Sequence, residues 1–439
     1  MSMRYVIIGN SAAGLGAAEA IREIDPSSPL TIIADEPEAA YSRALISYEL
    51  AGWLPSGAKL DLRTPDFYRE KGIQALLGRR AQRIDTSARE VVLEGGDRIP
   101  YDRLLLAVGG SPQTLGVPGE DQAGIFGFRT ARDLAAIHEA VQTAREAVVL
   151  GGGCIGLQAA SGLHHHGVRT TIAIASGHLL SQVADPECGD LFRERFERNG
   201  IPVLTGAVPE EFTGTDRVAG VRFADGRALP AQIVITGKGV APNIGLAQGT
   251  KIRVDWGIVV DDRLRTDEPD VFAAGDAAAT WDRVACRSTV NAVWPGAYEQ
   301  GRAAGCNMAG RDRRYDGSMR LNAAEFFGLP FISLGIVKPK GEGFESHSRL
   351  SGDKNRYWKL VFQENRLVGA VLAGKVDGAG VLGNLMRKRA DVSSIKDDLL
   401  AGRYGFARLL PLIQAQAEAF PEAEYGEIIF TAETQRAQR

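Results

Sequence analysis

Short runs of β-branched and other apolar residues, each followed by a glycine-rich turn and a helical apolar pattern, occur twice along the chain. Residues 6–21, VIIGNSAAGLGAAEAI, align at a fixed offset with residues 148–163, VVLGGGCIGLQAASGL. In each copy the pattern predicts a buried strand, a tight turn and a helix whose small residues lie close to a sheet. The chain is therefore predicted to hold two βα units of the nucleotide-binding type.

The glycines of the two turns carry the chemical part of this prediction. Gly9 and Gly14 in the first copy match Gly151 and Gly156 in the second, which also has Gly153 where the first copy has a serine. Such glycines allow a tight bend, close approach of backbone to a pyrophosphate, and close packing of helix on strand. A single glycine fingerprint is a weak signal, whereas two copies in the same context strongly indicate two dinucleotide sites.

The two copies differ where the next strand ends. The first continues into LTIIADEP, so that Asp35 and Glu36 are placed to accept hydrogen bonds from a ribose. In the second, Ile174 stands in place of this acid, followed by Ala175 and Ser176. Ser176 and His178 could accommodate a 2′-phosphate, but neither is the arginine expected for NADP. The second site is thus predicted to bind NAD(P)H with unresolved selectivity, the alternative being a scaffold domain with a degenerate fingerprint.

Composition narrows the class of protein. The chain has 439 residues, long enough for two or three domains, and a formal net charge of -3 from 51 basic and 54 acidic residues. This balance gives no overall attraction to nucleic acid or to an anionic membrane, and no apolar run approaches the length of a membrane helix. The four cysteines are widely spaced without a CxxC pair, which suits a reducing compartment, so a cytoplasmic location is predicted.

Three further segments carry a family resemblance. YDRLLLAVGGSPQTLGVPG (101–119), GIVVDDRLRTDEPDVFAAGDAAA (257–279) and NAVWPGAYEQGRAA (291–304), together with the two fingerprints, resemble the FAD-dependent pyridine nucleotide-disulfide oxidoreductase superfamily. The resemblance spans nearly the whole chain and is nearest to the branch of rubredoxin and ferredoxin reductases, NADH oxidases and the nitrite reductase flavin domain. It implies an α/β fold with two Rossmann-like dinucleotide-binding domains and a C-terminal α+β interface domain.

The resemblance also implies which residues contact the cofactors. Pro295 suits a first helical turn, and the dipole of its helix would stabilise negative charge on a reduced flavin. A Gly-Asp turn that only caps a helix remains the alternative for Asp276. The residues implied for FAD are Gly9, Ser11, Ala13, Gly14, Asp35, Glu36, Arg43, Ala107, Gly109, Gly275, Asp276, Trp294 and Pro295, and those implied for the nicotinamide nucleotide are Gly151, Gly153 and Gly156.

A missing thiol limits the chemistry. Disulfide reductases of the resembling family carry a CxxxxC pair beneath the isoalloxazine, but here the stretch is AYSRALISYELAG, residues 40–52, without cysteine. Because serine cannot act as a thiolate relay, a redox-active disulfide is excluded. Arg43 and Ser47 remain as the predicted catalytic residues, although an ion-paired arginine is an equal alternative. No metal site is predicted, since consecutive helical residues such as His164, His165 and His166 cannot converge on one ion.

The resemblance predicts a domain order in which the NAD domain is inserted into the FAD domain. Residues 1–116 and 243–320 would form the FAD-binding domain, around an NAD(P)-binding domain at 117–242. Residues 321–439 would form the interface or dimerisation domain, with strands in FFGLPFISLGIV and KLVFQENRLVGAVLAG and a docking tail beyond about residue 405.

Two functions remain open at this point. The first is an FAD-dependent NAD(P)H oxidoreductase that exchanges electrons with an iron-sulfur protein or rubredoxin-type carrier. The second is an FAD-bearing electron-transfer subunit of a larger iron-sulfur or metalloenzyme complex, in which NAD(P) binding is weak or lost. An oxygen-reducing NADH oxidase is less favoured because the cysteine of water-forming members is absent. Homodimers and heteromeric redox complexes are both compatible with the sequence.

Overall fold

The structure, a computed structural model, describes residues 2–416. The chain divides into two compact units, which are considered separately. Among the described residues, the first takes 2–181, 192–282 and 286–318, and the second takes 182–191, 283–285 and 319–416. Among residues 2–416 no helix is both long enough and apolar enough to cross a membrane.

The first unit contains a five-stranded sheet that begins with the first glycine fingerprint. Its strands lie in parallel, in the spatial order Val271–Ala273, Arg103–Leu106, Tyr5–Ile8, Leu30–Ile33 and Ile73–Leu76. The central strands read YVII and LTII, and every residue in them is buried. Continuous apolar strands of this kind are expected where helices cover both faces of a parallel sheet.

A second five-stranded parallel sheet in the same unit begins with the second fingerprint. Its spatial order is Val203–Leu204, Arg169–Ala173, Glu146–Leu150, Ile233–Thr236 and Ile125–Phe126. In both sheets the fingerprint strand lies inside the sheet, and its helix follows the glycine turn directly. The predicted α/β fold with two Rossmann-like halves is confirmed.

Helices and smaller sheets complete these two halves, and in one of those sheets Ile258–Val259 pairs in parallel with Ala278–Asp282. The helices are Ala12–Ile24, Ile46–Leu50, Pro65–Glu70, Ala131–Ala140, Cys154–His165 and Trp294–Met308. A further helix, Pro186–Arg198, has its residues up to 191 assigned to the second unit and the rest to the first. The remaining strands are Ala81–Asp85, Glu90–Leu93, Arg98–Pro100, Gly110–Pro112, Pro209–Gly214, Val218–Phe223, Ala228–Pro230, Val240–Pro242, Ile258–Val259, Ala278–Asp282 and Arg287–Thr289.

The first fingerprint helix, Ala12–Ile24, packs against the helix Trp294–Met308 through glycines. A Cβ on Gly301 would lie 2.0 Å from the carbonyl oxygen of Ala13, and one on Gly305 would lie 2.4 Å from that of Ala17. No larger residue fits at these two positions without moving a helix. Because Ala13 faces Gly301 and Ala17 faces Gly305, the two helices run in the same direction, and the first turn of Ala12–Ile24 lies beside the middle of Trp294–Met308.

The second unit is built on a five-stranded antiparallel sheet with helices. Its strands lie in the order Leu321–Phe326, Leu329–Gly335, Arg366–Ala373, Tyr357–Gln363 and Phe344–Leu350, and its helices are Ala379–Lys388, Lys396–Leu400 and Phe406–Ala415. The predicted turn at Glu364 and Asn365 is confirmed, with Glu364 at a positive φ of 54°. The predicted docking tail is described only as far as residue 416, and residues 417–439 lie outside the described residues.

Candidate functional site

The first glycine turn has a backbone geometry that excludes side chains. Gly9 has a φ of 120°, and a Cβ there would lie 2.1 Å from the carbonyl oxygen of Ala107, while a Cβ on Gly14 would lie 1.9 Å from the carbonyl oxygen of Gly9. Both distances are far below van der Waals contact, so glycine is required at each position. Backbone N–H groups at the start of the following helix are thereby left accessible to a bound anion.

The second glycine turn repeats this geometry. Gly151 has a φ of 152°, and its Cβ would lie 2.6 Å from the carbonyl oxygen of Gly237. A Cβ on Gly156 would lie 2.1 Å from the carbonyl oxygen of Gly151, which matches the 1.9 Å between a Cβ on Gly14 and the carbonyl oxygen of Gly9. Gly153, by contrast, is the N-cap of the helix Cys154–His165 and has open space around its Cβ position. Both turns are therefore built to bring backbone against a phosphate.

The Gly275–Asp276 turn lies between two helix N-termini. A Cβ on Gly275 would lie 3.2 Å from the Cβ of Ala13 and 3.7 Å from that of Ala297. The backbone N–H of Gly275 donates a hydrogen bond of 2.7 Å to Oε1 of Gln300, whose side chain is 1% exposed. Gln300 thus holds the turn against the helix Trp294–Met308. Sequence reasoning missed this residue, which follows Pro295 by five positions.

Two helices direct the positive ends of their dipoles toward this region. The helix that follows Ser11 has no acidic residue in its first turn, and the same is true of the helix with Pro295 in its first turn. Trp294 stacks on Tyr298 with ring centroids 6.0 Å apart. The first turns of the two helices flank Gly275 and contain no carboxylate, so they form a favourable place for a phosphate or another anion.

Charged side chains connect the predicted FAD segments. Glu36 accepts hydrogen bonds from the guanidinium of Arg43 and from the hydroxyl of Tyr41. Nη1 of Arg43 donates a 3.2 Å hydrogen bond to the carbonyl oxygen of Arg129, and Nη2 of Arg129 lies 2.9 Å from Oδ2 of Asp276. The structure therefore links Glu36, Arg43 and Asp276 through Arg129. Asp35 is exposed, and its charge contributes to the raised pKa of Arg43.

Burial and charge shift the pKa values within this network. Burial lowers the pKa of Arg43, but the neighbouring Tyr41 and the Glu36 carboxylate raise it, and the net pKa lies above its ordinary value. Burial and the hydrogen bond to Glu36 raise the pKa of Tyr41. Arg43 thus stays a cation and Tyr41 a neutral donor at physiological pH. In the structure Arg43 forms an ion pair with Glu36, which is the alternative to a catalytic role that the sequence left open.

Arg129 is a second residue that the sequence did not reveal. It immediately precedes a capping box, in which the Thr130 hydroxyl accepts from the Asp133 backbone N–H and the Asp133 carboxylate accepts from the Thr130 backbone N–H. Asp133 also accepts from the backbone N–H of Arg129. A Cβ on Gly109 would lie 3.8 Å from Nη2 of Arg129. The capping box fixes the backbone, so that the guanidinium is held between Gly109 and Asp276.

Ser47 lies in a different environment from Arg43. Its hydroxyl donates a hydrogen bond of 3.1 Å to Oε1 of Gln158, and the two residues are 2% and 5% exposed. Gln158 belongs to the second fingerprint helix, so Ser47 connects the thiol-free segment to the nucleotide half of the unit. Three positions after Ser47, Leu50 packs against Gly162 of the same fingerprint helix. A Cβ on Gly162 would lie 2.7 Å from Cγ of Leu50. The two predicted catalytic residues therefore take part in different sets of hydrogen bonds, Arg43 with Glu36 and Arg129 and Ser47 with Gln158.

The sheet register corrects the assignment of Ile174. In the first half the N–H of Gly9 donates to the carbonyl oxygen of Ile33, and in the second half the N–H of Gly151 donates to that of Ala173. Counting from these matched residues, Ile174 is the counterpart of Ala34, and Ser176 is the counterpart of Glu36. The prediction that Ile174 replaces the ribose acid was wrong because the second connection is two residues shorter than the first.

Sulfur and metal ligands do not enter the site. None of the four cysteines forms a disulfide, and Cys154 at the start of the second fingerprint helix has a pKa raised to about 12 by burial. Such a thiol is protonated and unreactive at neutral pH. Among residues 2–416 no group of three His, Cys, Asp or Glu side chains is placed to hold a metal ion.

Known proteins match this chain over most of its length. Residues 3–301 match the pyridine nucleotide-disulphide oxidoreductase family, and residues 321–390 match the rubredoxin NAD+ reductase C-terminal domain. The assimilatory nitrate reductase electron transfer subunit of Bacillus subtilis is 30% identical over 90% of this chain and 51% of its own length. The chain spans about half the length of the first two curated relatives it matches.

Two further proteins are matched along nearly their whole length. The NADH-dependent phenylglyoxylate dehydrogenase subunit epsilon of Aromatoleum evansii is 29% identical over 92% of this chain and 96% of its own. The reductase in the crystal structure of the covalent putidaredoxin reductase–putidaredoxin complex superposes with a TM-score of 0.82 at 25% identity, covering 91% of this chain and 99% of that one. Because the family match covers well over half of the sequence, the chain belongs to the pyridine nucleotide-disulphide oxidoreductase family, whose members bind FAD.

Proposed function

We propose that the protein is an FAD-dependent NAD(P)H oxidoreductase that exchanges electrons between a nicotinamide nucleotide and an iron-sulfur or rubredoxin-type carrier without a redox-active disulfide. The observation that carries the proposal is the pair of glycine turns with the same geometry in one unit, beside a helix segment that has Ser47 and no thiol. Two dinucleotide sites in one unit suit hydride exchange between two bound dinucleotides.

The residues of the first turn fit the pyrophosphate of FAD. Gly9 and Gly14 keep side chains away from the place where backbone meets phosphate, and the two parallel helix N-termini supply positive potential. We assign Glu36 to the adenosine ribose and Asp276 to the ribityl chain. Arg129 lies beside Asp276 and Gly109, where a guanidinium would offset the charge of a phosphate.

The residues of the second turn fit the pyrophosphate of a nicotinamide nucleotide. Gly151 and Gly156 make the same close approaches as their counterparts, and the open space at Gly153 leaves room above the helix N-terminus. Gln158 lies one helical turn further along and contacts Ser47. This hydrogen bond joins the two halves at the place where the two reactive rings are expected to meet.

Bound FAD would supply the step between two-electron and one-electron chemistry, since a flavin accepts hydride and releases electrons singly. The protein's own part is to position the two dinucleotides, to exclude water through buried contacts such as Ser47 to Gln158, and to stabilise negative charge with the helix that begins at Trp294. No protein sulfur lies in residues 40–52 to relay electrons.

The relatives support an external electron carrier. One solved relative is a reductase in complex with putidaredoxin, and the second unit matches a rubredoxin NAD+ reductase domain. The alternative, an FAD-bearing subunit of a larger complex, is favoured by two relatives that are named as subunits and by the missing acid at Ser176. In that case nucleotide binding would be weak or lost, and a partner would supply or remove the electrons.

We propose the following arrangement for the chain as a whole. Residues 1–116 and 243–320 form the FAD-binding domain, which the pairing of strands Val271–Ala273 and Arg103–Leu106 supports. Residues 117–242 form the NAD(P)-binding domain and residues 321–439 the interface domain. A cytoplasmic location fits the wide spacing of the cysteines.

The two functions are separated by an electron-transfer assay without air. Purified protein, NADH or NADPH, and a ferredoxin or rubredoxin are mixed, and the visible band of the carrier is followed. Bleaching of the carrier that depends on both the protein and the nucleotide supports the oxidoreductase. If neither nucleotide reduces the flavin while a chemically reduced ferredoxin does, the subunit assignment replaces it.

A further inference from the structure

The strand register places a serine where a ribose-binding acid stands in the other half of the unit. Ser176 is the counterpart of Glu36, and the exposed Ala175 is the counterpart of Asp35. In a nucleotide site of this type, the carboxylate at this position accepts hydrogen bonds from the ribose hydroxyls and repels a 2′-phosphate. The second site therefore lacks the group that selects NAD over NADP.

An arginine reaches the same edge of the sheet from a distant part of the sequence. Nη2 of Arg227 donates a 3.0 Å hydrogen bond to the carbonyl oxygen of Thr205, which follows the strand adjacent to Arg169–Ala173. The next residue, Gly206, donates its N–H to the carbonyl oxygen of Ser176 at 3.4 Å. Parallel neighbouring strands end at the same edge, so Arg227 and Ser176 lie on the same side of the second sheet.

The side chains around Ser176 bond to backbone carbonyls, and the one carboxylate that pairs with Arg227 comes from Asp225 in its own turn. The Ser176 hydroxyl donates to the carbonyl oxygen of His178 at 3.0 Å, and Nδ1 of His178 lies 2.8 Å from the carbonyl oxygen of Leu179. Arg227 also pairs with Asp225. The Arg227 side chain is 39% exposed, so its guanidinium can exchange that carboxylate for phosphate oxygens, which it binds in the same forked geometry.

We propose that the second dinucleotide site accepts the 2′-phosphate of NADPH at least as well as the bare ribose of NADH, with Ser176 and Arg227 as the specificity-determining residues. This inference rests on the proposed use of a nicotinamide nucleotide. Ser176 carries no negative charge that would repel the 2′-phosphate, and Arg227 supplies a positive charge that attracts it. The arginine expected for NADP is thus provided by the hairpin between strands Val218–Phe223 and Ala228–Pro230 rather than by the residues that follow Ser176.

Binding of adenosine fragments tests this site without relying on flavin reduction. Adenosine 2′,5′-bisphosphate and 5′-AMP are titrated into the purified flavoprotein and followed by calorimetry. The expected result is that the bisphosphate binds at least as tightly as AMP. The inference is overturned if AMP binds more than about tenfold tighter than the bisphosphate, a difference of about 1.4 kcal/mol in binding free energy. It is also overturned if the bisphosphate does not bind detectably. Failure of both NADH and NADPH to reduce the flavin refutes the proposed function instead, so the two failures are distinguishable.

Matched variants assign the effect to each residue. Ser176→Glu should weaken bisphosphate binding by about tenfold or more and leave AMP binding within about threefold, because only the phosphate meets the new charge. Ser176→Gln has nearly the same shape without the charge and should bind both fragments as the parent does. Loss of bisphosphate binding in the Gln variant, or its retention in the Glu variant, contradicts the role of Ser176.

Arg227 has a control in the same small sheet. Arg227→Gln should weaken the bisphosphate by about tenfold and leave AMP unchanged. Arg222→Gln removes another exposed arginine, one that pairs with Glu210 and Glu211, and should change neither. An equal loss for both fragments in Arg227→Gln, or no loss for either, overturns the assignment of Arg227.

Discussion

The Ser47 hydroxyl donates a hydrogen bond of 3.1 Å to Oε1 of Gln158, and both side chains are almost fully buried. The two residues are 111 positions apart in the sequence. One belongs to the segment that would carry cysteines in a disulfide reductase, and the other to the fingerprint helix of the second nucleotide site. A neutral, buried hydrogen bond therefore joins this thiol-free segment to the second fingerprint helix.

Loss of the Ser47 hydroxyl should destabilise the protein. Ser47→Ala leaves a buried amide oxygen without its donor, which costs about 1–3 kcal/mol. The melting temperature should fall by roughly 2–4 °C for each kcal/mol. Replacement of both partners, in Ser47→Ala with Gln158→Leu, should cost less than the two single changes added together. Ser56→Ala, in an exposed loop, serves as the control, and strict additivity would contradict the coupling of Ser47 with Gln158.

The two glycine turns should be separable by equivalent substitutions. Gly14→Ala places a Cβ 1.9 Å from a backbone oxygen in the first turn, so the purified protein should lack the visible flavin band. Gly156→Ala makes the same clash in the second turn, and that protein should stay yellow while NADH and NADPH no longer reduce it. Circular dichroism checks that both fold, with Gly380→Ala, where nothing lies within 4 Å, as control. A yellow Gly14→Ala protein would contradict the assignment of the first turn.

Arg129 should contribute to FAD affinity. Arg129→Gln removes the cation beside Asp276 and should raise the dissociation constant of FAD by about tenfold or more, since a charge-assisted hydrogen bond contributes about 1.5–3 kcal/mol. The measurement is flavin fluorescence during reconstitution of the apoprotein. The exposed Arg132, three positions later, provides the control variant Arg132→Gln. Equal affinities for the two variants would remove Arg129 from the site.

Acidification should weaken the fold through His166. His166 is exposed, but partial desolvation, and then the nearby His138, hold its pKa below the ordinary value; His165 lowers the pKa further, while the Leu50 backbone and Glu49 oppose the shift. The unfolded chain therefore takes up a proton near pH 6.5 that the folded chain resists, so stability falls as the pH drops through about 6.5.

His166→Gln should make this loss smaller. The melting temperature is compared at about pH 7.5 and about pH 5.5 in the parent and the variant. His347→Gln, in the second unit, should retain the parental difference. An unchanged pH dependence in His166→Gln would show that His166 is not its source.

The sequence predicted the parts of the site that backbone geometry enforces. Gly9, Gly14, Gly151 and Gly156 are visible in the sequence because no other residue fits where they lie, and Pro295 because it starts a helix. These constraints act over a few residues, so a local pattern records them. The two parallel sheets follow for the same reason from their continuous apolar strands.

Contacts between distant segments were not predictable in this way. Arg129 pairs with Asp276 across 147 positions, and Arg227 reaches Thr205 from another hairpin, so neither leaves a local pattern. The counterpart of Glu36 was placed at Ile174 instead of Ser176, because only the strand register reveals that the second glycine turn and the next strand are joined by a shorter connection. The strand Phe344–Leu350 was missed because it is an exposed edge strand without a buried face.

The central claim is that the flavin receives and releases electrons with no cysteine intermediary. It is tested most directly by anaerobic titration of the purified yellow protein with NADPH and, separately, NADH, followed at the visible flavin band. The account predicts complete bleaching by about one equivalent of at least one nucleotide per flavin, because the flavin is the sole two-electron acceptor. A requirement for a second equivalent, with appearance of new thiols, would reveal a redox-active disulfide and contradict it.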